Sequence, residues 1–108
     1  MYGQSSSHKI IAFDYDETIS AAPNTFLEVM LTFEKMGWHC IVVTYRQHTC
    51  SPEDLDFLLE KGYKVFFTGQ VAKDKFMKSL GIEVDIWVDD SPETVVRSYD
   101  PAKGIFYN

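Results

Sequence analysis

The apolar residues of this chain fall into short runs that end abruptly in polar ones, and stretches of helical spacing lie between the runs. Ile10-Ile11-Ala12-Phe13 stops at Asp14-Tyr15-Asp16. Four consecutive apolar residues suit a strand buried on both faces, whereas carboxylates cannot enter a core without a compensating charge. The run therefore predicts a central strand with two acids at its carboxyl end. Cys40-Ile41-Val42-Val43, ending at Thr44, repeats the design. So does Val84-Asp85-Ile86-Trp87-Val88, ending in Asp89-Asp90. Tyr63 to Thr68 reads as a further strand, nearer an edge because Lys64 interrupts it, and Gly104-Ile105-Phe106-Tyr107 as the last.

Helices are predicted between these runs. Thr25-Phe26-Leu27-Glu28 has the spacing of a capping box, Phe26, Val29, Met30 and Phe33 recur on one face, and Gly37 is a natural stop. Ser51-Pro52-Glu53-Asp54 offers a cap, a proline at the first helical position and acids in the first turn, opening a helix with Leu55, Leu58 and Leu59. Val71, Phe76, Met77 and Leu80 form the apolar side of a third helix closed by Gly81. Ser91-Pro92-Glu93-Thr94 caps a fourth, with Val95, Val96 and Tyr99 on its apolar side. Strands alternating with helices predict an α/β fold, a parallel sheet covered on both faces and linked by right-handed crossovers.

Composition narrows the picture. A chain of 108 residues makes one domain, read here as residues 8–108 after a flexible polar leader over 1–7. No apolar run is long enough to span a membrane and no apolar signal core is present, so a cytoplasmic protein is expected. Cys40 and Cys50 fit no metal-binding spacing and read as free thiols. The net charge of −6 argues against an extended nucleic-acid-binding face, which needs clustered lysine and arginine. It leaves nucleotides and nucleic-acid ends open as ligands.

The polar tips supply the candidate chemistry. A parallel sheet collects them along its carboxyl edge, where α/β proteins bind ligands. Asp14, Asp16, Thr44, a lysine and Asp89-Asp90 would then meet. Carboxylates within about 4 Å repel by roughly 4 kcal/mol per pair at an effective dielectric of 20, so the cluster calls for a cation. Oxygen-only ligands favour Mg2+. The Thr44 hydroxyl and a lysine ammonium, from Lys73 or Lys75, suit the oxygens of a phosphoryl group.

These motifs resemble those of the haloacid dehalogenase superfamily of phosphatases. Asp14-Tyr15-Asp16-Glu17-Thr18 is similar to its Asp-x-Asp-x-Thr first motif, Ile41-Val42-Val43-Thr44 to the second, Lys73 to the third and Trp87-Val88-Asp89-Asp90 to the fourth. The resemblance implies a single Rossmann-like three-layer α/β/α domain, its parallel sheet of about five strands in the order 5-4-1-2-3. It also implies a Mg2+-dependent phosphomonoester hydrolase. Asp14 would be the nucleophile, forming an aspartyl phosphate, and Asp16 the general acid and base. Asp14, the Asp16 carbonyl, Asp89 and Asp90 would hold Mg2+, while Thr44 and Lys73 would steady the phosphoryl oxygens. Thr18 would fix the loop. A receiver-like phospho-accepting module, or a fold of this type that binds phosphate without turnover, is the alternative.

The intervals Thr18 to Thr44 and Thr68 to Lys73 are too short for a cap domain, which leaves the site open. In the family this goes with macromolecular substrates, a phosphoprotein or a nucleic-acid end, or with a homo-oligomer that lends a lid. A nucleotide or sugar phosphate fits the small acidic domain as well. Tyr45, Arg46 and His48 are the candidate substrate contacts, Arg46 for a second anionic group. An ordinary polar loop is the competing reading.

Overall fold

The computed structural model describes residues 9–47 and 53–108. The expectations for the leader, for His48 and Cys50, and for a Ser51-Pro52 cap lie outside these residues.

Strand β1 (Ile10–Phe13) forms where the first apolar run was read, and strand β2 (His39–Thr44) pairs with it in parallel, Ile11 opposite Cys40 and Phe13 opposite Val42. Strand β3 (Val65–Phe67) joins the far side of β2, and strand β4 (Ile86–Val88) joins β1, both in parallel. The spatial order is β3-β2-β1-β4, which puts β1 and β2 in the middle. Side chains of a strand alternate between faces, so each central strand feeds two cores. Ile11, Phe13, Cys40 and Val42 pack with Met30, Leu55 and Leu58, whereas Ala12, Ile41 and Val43 pack with Met77. Burial on both faces is why these strands are continuously apolar.

The first face is covered by helix α1 (Pro23–Lys35) and helix α2 (Asp56–Glu60), the second by helix α3 (Lys73–Ser79). Phe13 meets Phe26 and Phe33 edge-on, with ring centroids 6.1 and 6.5 Å apart. Helix α1 starts two residues before the expected capping box. Pro23 takes the first turn and Ala22 the cap, with no side-chain capping bond. Proline's fixed φ and missing N–H suit that position, so Thr25 is left inside the helix. Val71 and Leu80, expected to face the core, are 40% and 50% exposed because α3 is shorter than its apolar pattern.

The expected single Rossmann-like sheet of five parallel strands does not form. The described residues form two separate sheets: the four-stranded parallel one and a two-stranded antiparallel one made by strand β5 (Ser98–Asp100) and strand β6 (Ile105–Tyr107). A parallel return to β4 needs a crossover of a dozen or more residues. Here helix α4 (Glu93–Val96) is a single turn, and β5 occupies chain that the crossover would require. Gly104, at φ +66°, completes a tight reversal after Asp100, and Tyr99 packs edge-on against Phe106 at 5.1 Å. The last apolar run thus finds a partner a few residues away. The family resemblance and its aspartyl-phosphate chemistry conflict with this topology and take no support from it.

No helix among the described residues is long and apolar enough to cross a membrane. Cys40 is a free thiol, and burial pushes its pKa up to about 11, so it stays protonated and inert at neutral pH.

Candidate cation and anion site

The carboxyl ends of β1 and β4 lie side by side, because the parallel ladder continues through the Asp14 N–H, which donates to the Val88 carbonyl at 2.9 Å. Asp14 and Asp89 follow directly from these strands. The chain then turns sharply after Asp16, with Glu17 at φ +64°, and brings Thr18 back over Asp14. Thr18 Oγ1 lies 3.2 Å from Asp14 Oδ2 and 3.4 Å from Asp90 Oδ1, and accepts the Asp90 N–H at 3.3 Å. One hydroxyl therefore ties the β1 loop to the β4 loop.

Helix α3 delivers Lys73 in its first turn. The Lys73 side chain is 1% exposed, and its ammonium donates to Asp14 Oδ1 at 2.9 Å and to Asp89 Oδ2 at 2.6 Å. A lysine near a helix N-terminus works against the helix dipole, and two buried carboxylates supply the reason it stays. Lys75 points elsewhere, donating to the Asn108 carbonyl. Oxygens of Asp14, Asp89 and Asp90 lie within 4.8 Å of one another. Three carboxylates against one ammonium leave a formal charge of −2, which matches a divalent cation in both sign and donor chemistry. Without one, desolvation raises the Asp14 pKa to about 6, although its bond to Lys73 pulls the other way.

Asp16 belongs to a different cluster. Its carboxylate accepts from Arg46 Nη2 at 2.7 Å and Nε at 2.9 Å, a two-point fork. The other side of the same guanidinium donates to Asp54 at 2.7 and 3.0 Å. The guanidinium also lies over the Tyr15 ring, 5.3 Å from its centroid, while the Tyr15 hydroxyl donates to the Asp54 carbonyl at 3.0 Å. Thr44 is fully buried, accepting the Arg46 N–H at 3.3 Å.

A cleft of about 200 Å3 opens over the acids, lined by Asp14, Asp16, Tyr45, Lys73, Asp89 and Asp90, together with Glu17, Ser91 and Thr94. Of the residues expected at the site, Thr44 and Arg46 do not line it. Ser91 and Thr94 are additions. The Ser91 N–H donates to Asp89 Oδ1 at 2.9 Å, and Thr94 Oγ1 lies 3.4 Å from Asp89 Oδ2. Their signal was a serine directly after the aspartate pair and a threonine one turn further on, which the sequence also offered as an ordinary helix cap. Asp54 was read only as an acid in the first turn of a helix. A larger cavity of about 340 Å3 between α3 and α4, lined by Met77, Ile82, Trp87 and Val95 among others, shares no residue with the acidic cleft. Comparison with protein-family models, with curated proteins and with solved structures finds no match for this chain.

Proposed function

We propose that the acidic cleft binds a divalent cation together with a phosphoryl group, and that the protein is a phosphate-binding module rather than an efficient hydrolase. The convergence of Asp14, Asp89 and Asp90 around the buried Lys73 ammonium carries this reading. Asp14, Asp89 and Asp90 would hold the ion, with Mg2+ favoured by the all-oxygen donors. The ion would supply positive charge toward the ligand's oxygens, and the Lys73 ammonium a fixed cation beside it. A cleft of about 200 Å3 suits a phosphoryl group and leaves the remainder of a phosphopeptide, nucleotide or sugar phosphate outside.

The state of Asp16 argues against turnover. A general acid must present a carboxyl oxygen to the leaving group, and both oxygens of Asp16 are instead taken by the Arg46 guanidinium. Hydrolysis of phosphomonoesters is the second reading, favoured by the placement of Asp14 in the cleft beside Lys73. A cytoplasmic setting fits the free, buried Cys40.

Calorimetry with Mg2+ and orthophosphate tests the first reading. Binding of phosphate that requires Mg2+ and is lost in Asp14→Asn is expected; binding indifferent to both would sink it. Steady release of phosphate from an aryl phosphate by the wild type, abolished in Asp14→Asn, would select the second.

A further inference from the structure

The guanidinium of Arg46 is shared between two carboxylates of unequal standing. Asp16 lines the acidic cleft, and Asp54 does not. Asp54 takes Nη1 at 3.0 Å and Nη2 at 2.7 Å, the side of the fork that Asp16 leaves free. Both two-point faces of the Arg46 guanidinium are thereby filled from within the chain.

The clasp is built to be exchanged. Its side chains are 30% exposed in Arg46 and 49% in Asp54, so a ligand can reach the pair from solvent and the surrounding water screens it. The cation–π contact with Tyr15 fixes the guanidinium plane independently of either acid. The Asp54 backbone is held separately, through its carbonyl to the Tyr15 hydroxyl. The Asp54 carboxylate can therefore leave Arg46 without unmaking the loop.

We propose that Arg46 is a subsite for a second anionic group, occupied in the free protein by the Asp54 carboxylate, and that the ligand of the acidic cleft carries two phosphoryl groups. The inference rests on the phosphate-binding reading above. One phosphoryl group sits at the cation and Lys73, and the other displaces Asp54 from the outer side of the fork while Asp16 keeps the inner side. Asp54 thus acts as a gate that lowers affinity for every ligand needing Arg46 and leaves a single phosphate unaffected. Adjacent phosphoryl groups, as in a nucleoside diphosphate, and spaced ones, as in a sugar bisphosphate, share this chemistry.

Affinities of orthophosphate, pyrophosphate and a hexose bisphosphate, each with Mg2+, test it in wild type, Asp54→Asn, and the double variant Arg46→Met with Asp54→Asn. Glu53→Gln controls for loss of one negative charge nearby, since Glu53 sits next to Asp54 in the chain. Asp54→Asn is expected to tighten one or both two-phosphate probes by about five- to tenfold, the scale of one exposed charge-assisted contact released for ligand use. Orthophosphate should be unchanged, Glu53→Gln should act like wild type, and the double variant should lose the gain. The probe that gains reports the spacing. Equal gains for orthophosphate and both larger probes, a gain in Glu53→Gln, or a gain that survives loss of Arg46 overturns the subsite. Failure of orthophosphate to bind wild type at all would overturn both the phosphate reading and the subsite, whereas orthophosphate binding without the Asp54 effect overturns the subsite alone.

Discussion

The Lys73 ammonium lies 2.9 Å from Asp14 Oδ1, and both side chains are buried, so the ammonium offsets the Asp14 charge in the cation-free protein. The same ammonium reaches Asp89, so Lys73 ties helix α3 to the ends of both β1 and β4.

Replacing Lys73 by methionine leaves two buried carboxylates facing each other without a cation. Breaking a buried pair from one side costs about 3–5 kcal/mol. Chemical denaturation without divalent ions should show a loss of that order, and millimolar Mg2+ should recover part of it. A variant as stable as wild type in chelator would mean that the ammonium is not what offsets these two carboxylates.

The raised pKa of Asp14, about 6, sets a sign for pH dependence. The folded pKa lies above the ordinary aspartate value of 3.8, so folding takes up a proton. This stabilising contribution is complete below about pH 4 and is lost as pH rises through about 6. The cation needs the ionised carboxylate, so its affinity should run the opposite way, falling by up to about tenfold per pH unit below pH 6. Titrating Mn2+ between pH 5 and about 7.5 measures this slope, and Asp14→Asn should flatten it.

Thr18 touches both Asp14 and Asp90 and occupies no ligand position in the acid cluster. Thr18→Val keeps the shape and removes the hydroxyl. Loss of a group that orients metal ligands costs about 10- to 100-fold in affinity. Calorimetry should find weaker cation binding with little change in fold, as judged by circular dichroism; unaltered affinity would reduce Thr18 to a loop tie.

Phe13 is 1% exposed and meets Phe26 and Phe33 edge-on. Phe13→Ala should destabilise the domain by about 3–5 kcal/mol, from lost transfer energy and the cavity left behind. A loss below about 1 kcal/mol in urea denaturation would mean that α1 collapses into the gap.

Much of the site was legible because local patterns decide it. An apolar run that ends in an acid puts that acid at a strand end whatever surrounds it, and parallel pairing then brings Asp14 and Asp89 to one edge. The sequence by itself determined β1 and β2 as buried strands, Asp14 and Asp89 as acids at strand ends and a lysine in the first turn of α3, whereas Asp16, expected with them, pairs with Arg46 instead. Pairing between distant groups was decided only in three dimensions. Arg46 and Asp16 are 30 residues apart, and nothing in their spacing tells that the guanidinium would take both oxygens of Asp16 and a second acid besides. The last apolar run shows the same limit. Residues Ile105–Tyr107 have the pattern of a strand, but pattern does not name a partner. A nearby antiparallel strand costs little loop entropy, and a one-turn α4 cannot carry the chain back to β4, so tertiary structure put these residues in a second sheet.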